Sequence, residues 1–253
     1  EKRSLFQNLT EMWRIQSYRR ILLSGLLRTP TGLMNLLQMT VLSYYFGNNG
    51  RTPYVHYMLL LGIPAFLGQL IAAGAAPKLA DKHGAANTFA KANVLAGLAL
   101  LAAFALFLCR PQQLTQAMPF TLLILLLFCN MFCCGLVNTV QSILIADVAD
   151  QTEKESGIRR DGIFVSGQSL LIKLSTGVSA LLQGLVFAIS GFSGTAVSQI
   201  NRTLYAGADF ATDPSFAAPR FAMFFLFLCL PGIAYLLSAL PYRKSRNPHR
   251  VPE

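Results

Sequence analysis

Six long runs of apolar residues restrict the folding of this chain more than any other feature. They are Ile21–Phe46, Tyr54–Ala76, Phe89–Leu108, Phe120–Ile145, Ile163–Phe192 and Phe221–Leu240. Each reaches the roughly 20 residues that a helix needs to cross a bilayer. Lipid offers no partner to an open backbone N–H or C=O, so such runs form helices or a closed barrel. Barrel strands alternate apolar and polar residues over about 10 positions, and these runs do not alternate. Turn residues separate them: Gly47-Asn-Asn-Gly50, Pro77, Arg110-Pro111, and Gly157 to Gly162. The expected fold class is all-α, a polytopic membrane protein built as a six-transmembrane-helix bundle.

Composition agrees. Of 253 residues, 53% are hydrophobic and 13% charged, about half the charged share of a soluble domain. So few charges would not cover a globule of this size. Cys109, Cys129, Cys133, Cys134 and Cys229 lie in or beside apolar runs, with no CxxC spacing and no nearby His. They read as small apolar packing residues.

A net charge of +10 would suggest nucleic acid for a soluble protein. Its distribution points to topology instead. Lys2, Arg3, Arg14, Arg19 and Arg20 precede the first span. Lys78, Lys82 and Lys91 flank the second loop, Lys154, Arg159 and Arg160 the fourth, and Arg243, Lys244, Arg246 and Arg250 the tail. The opposite side carries only Arg51, Arg110, Arg202 and Arg220. By the positive-inside rule both termini are expected to be cytoplasmic, in the cell (inner) membrane. Residues 1–20 read as an amphipathic cytoplasmic linker, with Leu5, Leu9, Met12 and Trp13 on one face and Ser4 as N-cap. Residues 242–253 read as a basic cytoplasmic tail. With neither initiator Met nor signal peptide, the chain reads as starting in mid-protein. Asn201-Arg-Thr is a glycosylation sequon by pattern only.

Several functions fit six helices. Mitochondrial-type carriers need PxDxxK-like motifs in three repeats, and water channels need paired Asn-Pro-Ala turns; neither occurs here. Gly191-Phe-Ser193-Gly194 has the GxSG form of an intramembrane serine protease, with His249 downstream. Ser–His catalysis needs hydrogen-bond contact, yet the charge count places Ser193 at the outer face and His249 in the cytoplasmic tail, about 30 Å apart. A stand-alone channel subunit or scaffold stays open at this point.

Polar residues inside the spans carry more information, because ionisable groups there are rare and usually functional. Ser166, Ser169, Lys173, Thr176 and Gln183 recur at near-helical spacing in the fifth span. Lys173 lies about ten residues from the span start, or ~15 Å at a 1.5 Å rise, too deep to snorkel comfortably. It is expected to face a water-filled cavity or a carboxylate. The fourth span carries Asn130, Asn138 and Gln141, the last two at i, i+3 on one face. Asn130 reads as interhelical hydrogen-bond glue, Arg28 as a residue shallow enough to snorkel, and Gly68 with Ala72 as small-residue packing. No Asp or Glu lies within any span.

Three motifs bring a family into view. Ala146-Asp147-Val-Ala-Asp150-Gln-Thr-Glu153, then Gly157-Ile-Arg159-Arg-Asp161-Gly162, then Gln168-Ser169 and Lys173 resemble the glycoside–pentoside–hexuronide:cation symporters (melibiose permease-like, major facilitator superfamily). Gln151-Thr152 stands where Tyr-Gly is usual, and Asp161 where Glu is usual. Pro77-Lys-Leu79-Ala-Asp81-Lys-His-Gly84 resembles the major-facilitator loop motif Gly-x-Leu-Ala-Asp-Arg-x-Gly, with Pro for the first Gly, and Tyr44-Tyr45-Phe46 is also family-like. The resemblance covers nearly the whole chain, as the C-terminal six helices of a twelve-helix protein.

That resemblance implies cation-coupled symport of a sugar or glycoside by alternating access, not an enzyme. Lys173 falls on the family's central Lys, near both the sugar and cation sites. Gln168, Ser169 and Ile172 fall on sugar-contacting neighbours, and Gln141 matches a Gln. Asn138 stands where the melibiose permease has a stacking Trp. No cofactor or resident metal is implied; the coupling cation, Na⁺ or H⁺, would be bound mainly by carboxylates of the absent N-terminal half. Sugar, lipid bilayer and that missing half are the expected partners, with no nucleic acid. The site is expected near the midplane between two halves, each of two three-helix units, with Lys173, Gln168, Ser169, Asn138 and Gln141 lining one cavity. Asp81, Asp147, Asp150, Glu153, Arg159 and Arg160 are expected to form a cytoplasmic gate.

Overall fold

A computed structural model describes residues 13, 15–50, 53–157, 161–189 and 194–242. Among the described residues every regular element is helical, and there are no strands. In chain order the elements are α1 (Gln16–Leu27), a 3₁₀ turn (Thr29–Thr31), α2 (Gly32–Val41), a π turn (Leu42–Phe46), α3 (Val55–His83), α4 (Ala85–Cys109), α5 (Ala117–Ser156), α6 (Asp161–Ile189) and α7 (Gly194–Tyr205). A 3₁₀ turn (Pro214–Phe216), α8 (Ala217–Phe224), a π turn (Phe225–Cys229), α9 (Leu230–Ser238) and a 3₁₀ turn (Leu240–Tyr242) complete the described chain. Five stretches are long and apolar enough to cross a membrane: Val55–His83, Ala85–Cys109, Ala117–Glu155, Phe164–Ala188 and Pro214–Tyr242.

The remaining run, expected as one helix over Ile21–Phe46, is broken, and the sequence shows why. Pro30 has no N–H and its ring clashes with the carbonyl four residues back. The freed Leu26 carbonyl accepts the Thr29 hydroxyl at 2.7 Å instead. Thr29's own carbonyl accepts two hydroxyls from α6, those of Ser175 at 2.8 Å and Ser179 at 2.9 Å. Irregular backbone is tolerated at membrane depth only where such partners exist.

Other boundaries also shift. α1 starts at Gln16, and Tyr18 is fully buried with its hydroxyl on the Phe164 carbonyl at 2.9 Å; residues 16–20 therefore belong to the bundle rather than to a linker. Residues 1–12, most of the expected amphipathic stretch, and the tail beyond Tyr242 lie outside the described residues. The Pro77–Gly84 motif, expected as a loop, is the last two turns of α3. Gly84, at φ 81°, reverses the chain directly into α4, and the Thr88 hydroxyl ties that turn to the Leu79 carbonyl at 3.0 Å. Likewise α5 runs eleven residues past the expected end of its span, carrying Asp147 to Glu155 on helix.

Small residues let the helices approach. A Cβ on Gly68 would lie 3.0 Å from the Phe128 carbonyl oxygen of α5, one on Gly135 2.7 Å from the Ala72 Cβ, and one on Gly97 2.7 Å from the Gly232 carbonyl oxygen. Asn130 is glue as expected, donating to the Ala96 carbonyl at 3.2 Å. A second polar chain joins α1, α9 and α4: Ser24 donates to the Ser238 carbonyl at 2.6 Å, and the Ser238 hydroxyl to Asn93 Oδ1 at 2.9 Å. The five cysteines are unbridged, and Cys133 and Cys134 are buried as apolar packing requires.

One apolar cluster gathers Tyr18, Phe89, Phe164 and Tyr242 at the Gly84 end, so both described termini lie at the same end of the bundle. A larger aromatic cluster, with Tyr45, Phe46, Phe120 and Phe224, fills the Gly47 end. That end is capped by α7 and the chain after it, which no expectation covered. Ile200 and Leu204 bury one face of α7. Asn201 Oδ1 accepts from Tyr44 (3.1 Å) and Asn49 (2.9 Å), so the sequon asparagine serves as a bridge. Arg220, 4% exposed, donates to the carbonyls of Phe210 (2.8 Å) and Ala211 (2.7 Å).

Candidate substrate-binding site

The site begins with the two faces of α6. One face is packed: Leu171 sits where a Cβ on Gly25 would lie 2.7 Å away, Ser175 and Ser179 hold Thr29, and Leu182 and Val186 pack on Leu33, Leu37 and Leu226. Lys173 is two residues from both Leu171 and Ser175, about 200° and 160° around a helix of 3.6 residues per turn. It therefore projects opposite the packed face, exposed, together with Ser169 and Thr176. Lys173 makes no hydrogen bond or ion pair to a described residue. Ser169 and Thr176 donate to their own helix, to the carbonyls of Val165 and Ile172, each at 3.1 Å. Ile172 is 61% exposed on the flank of this stripe, and Gln168 is half-buried at its margin.

On α5 the expected pair separates. Asn138 is exposed, whereas Gln141 is buried and accepts a hydrogen bond from Arg28 Nη2 at 2.6 Å. The reason is Arg28 itself. At the break between α1 and the 3₁₀ turn its side chain turns inward rather than snorkelling, with the guanidinium carbon 6.0 Å from the Phe89 ring centre, a cation–π distance. The structure thus joins Gln141 to Arg28, leaving Asn138, Lys173 and Ser169 on exposed surface.

Sequence reasoning missed a polar stripe on the first span. Asn35 and Gln38, at i, i+3 on α2, follow Arg28 by about two and three turns. Both amides stand on the wall of a recess between α2, α3, α5 and the Phe225–Cys229 π turn. The signal was present as two amides at helical spacing in an apolar run.

Of the expected gate, Asp81 is exposed near the end of α3, and Asp147, Asp150 and Glu153 occupy the last turns of α5 at the Gly84 end. Arg159 and Arg160 lie outside the described residues, as do Ser193 and His249 of the protease motif. No group of three or more His, Cys, Asp or Glu among the described residues is placed to hold a metal ion.

A bundle of membrane-length apolar helices defines a polytopic membrane protein. The sequence model of the family described as MFS/sugar transport protein matches residues 1–243, and the chain belongs to that family. It is a family of transporters, not of enzymes. The chain is also similar to an uncharacterized 29.9 kDa protein in the crtE 3′ region of Pseudescherichia vulneris, 26% identical over 189 residues. That match covers 75% of this chain and spans 62% of the relative's length.

Proposed function

We propose that the chain is the C-terminal half of a secondary active transporter of the melibiose permease-like kind, moving a sugar or glycoside together with Na⁺ or H⁺. The observation that carries this reading is the stripe centred on Lys173, which projects from the face of α6 opposite the one the bundle holds. An ammonium without a partner at that depth is costly in lipid. Water, substrate or a carboxylate of a second six-helix half would meet it. α3 and α6 are also the least covered of the five long helices: 11% and 6% of their apolar windows are buried, against 44–56% for the others. That is the pattern expected of two helices whose outer faces pack on another half.

In this reading Lys173, Gln168, Ser169, Ile172 and Asn138 face the substrate. Gln141 acts through Arg28 at its edge. Hydroxyls and amides pair with sugar hydroxyls, and a buried group left unpaired costs about 1–3 kcal/mol, the source of selectivity among sugars. Asp81, Asp147, Asp150 and Glu153 then close the cytoplasmic end against Arg159 and Arg160. Partly exposed pairs contribute up to about 1 kcal/mol each, so three or four bias a two-state equilibrium by a few kcal/mol. The test is Lys173→Ala in the complete gene product, reconstituted in liposomes with imposed Na⁺ or H⁺ gradients and a panel of labelled sugars. Accumulation should be lost; wild-type accumulation would remove Lys173 from the site.

A further inference from the structure

The recess beside Asn35 and Gln38 has a composition unlike that of a surface made only for lipid. It is an open recess walled by α2, α3, α5 and the Phe225–Cys229 π turn. Its wall is apolar, built from Met34, Leu127, Met131, Phe227 and Ala65 among others. Asn35 and Gln38 stand exposed at its edge, and neither amide has a hydrogen-bond partner among the described residues. Two amides one helical turn apart present paired donors and acceptors, which lipid chains cannot satisfy. An apolar chamber with a double-amide rim matches a ligand with one polyhydroxylated end and one apolar end.

We infer that the recess between α2, α3 and α5 is a subsite for the apolar substituent of a glycoside, with Asn35 and Gln38 gripping the adjoining sugar hydroxyls. This rests on the sugar-transport reading and deepens it, giving the first span a direct role in selecting substrates. Apolar surface buried in the recess favours binding in proportion to its area. An aryl glycoside should therefore bind more tightly than the methyl glycoside of the same sugar. Ala65 on α3 is half-buried on the recess wall, so enlarging it fills the chamber without touching the rim.

The experiment uses the complete gene product in nanodiscs, titrated with paired methyl and 4-nitrophenyl glycosides of glucose, galactose, xylose and glucuronic acid. Wild-type protein should bind the aryl member of the preferred pair at least tenfold more tightly. Ala65→Phe should erase that advantage while leaving the methyl glycoside's affinity within twofold. Asn35→Ala and Gln38→Ala should weaken both members about tenfold or more, with the unliganded melting temperature unchanged. If Ala65→Phe keeps the aryl preference, or both amide variants bind as wild type, the subsite is overturned and the transporter reading stands. If wild-type protein binds none of the panel, the sugar reading fails and the subsite with it. Should Ala65→Phe not fold, Ala65→Leu provides the same comparison.

Discussion

Arg28 donates through Nη2 to the Gln141 Oε1 at 2.6 Å, joining the break in the first span to the middle of α5. The cation's described partners are an amide and the Phe89 ring, 6.0 Å away. Hydrogen bonds to charged groups contribute about 1.5–3 kcal/mol. Gln141→Leu should destabilise the detergent-solubilised protein by about that amount. Adding Arg28→Met should restore part of it, because the charge no longer lacks a partner. Additive losses in thermal unfolding would show that the two side chains do not act together.

Gly32 faces Ser179 closely enough that a Cβ would lie 2.6 Å from the Ser179 Oγ. Gly32→Ala should therefore displace the hydroxyl that holds the Thr29 carbonyl, costing about 1–3 kcal/mol through overpacking. Removing the obstructing hydroxyl with Ser179→Ala should make the Gly32 change milder. The double variant's melting temperature decides this: equal costs with and without Ser179 would mean that the two sites are uncoupled.

Where α4 crosses α9 the conflict is with backbone. A Cβ on Gly97 would come within 2.7 Å of the Gly232 carbonyl oxygen, and a main chain cannot rotate aside. Gly97→Ala should cost more than Gly62→Ala, whose Cβ would meet nothing within 4 Å. Parallel melting curves for the two variants are the check, and equal midpoints would contradict the close crossing.

The cap over the Gly47 end depends on Arg220. Arg220→Leu should leave the Phe210 and Ala211 carbonyls without their donor, raising hydrogen exchange across residues 206–216 while α4 stays protected. Nearby, donors from Ser215 hold the Asp213 carboxyl below the usual carboxylate range. A depressed folded value means that its contribution is fully present above the unfolded value of about 3.9 and is lost as pH falls below it. Cap protection should be flat from pH 5 to 8 and weaken only in stronger acid. Loss near neutrality would assign the dependence to another group.

The sequence by itself determined the solvent, the helices and the family. Runs of some 20 apolar residues have one outcome in lipid, and the Asp147–Gly162 motif carried the family resemblance without reference to any contact. The apolar run Ile21–Phe46 reads as one helix, and hydropathy passes over the break at Pro30, local though its missing N–H and ring clash are. What only the tertiary structure decided is which way each polar side chain turns. Asn138 and Gln141 share one face by spacing, yet only Gln141 is buried, because Arg28 reaches it from another helix. Lys173 and Ser175 are near neighbours in sequence, but Ser175 faces Thr29 while Lys173 faces out, an assignment made by where α6 docks. The capping helix Gly194–Tyr205 was likewise hidden: its mean hydropathy is low, and its apolar face has meaning only against the aromatic cluster it covers. Hydropathy is a property of a segment and burial a property of a pair, so composition reaches the first and packing alone settles the second.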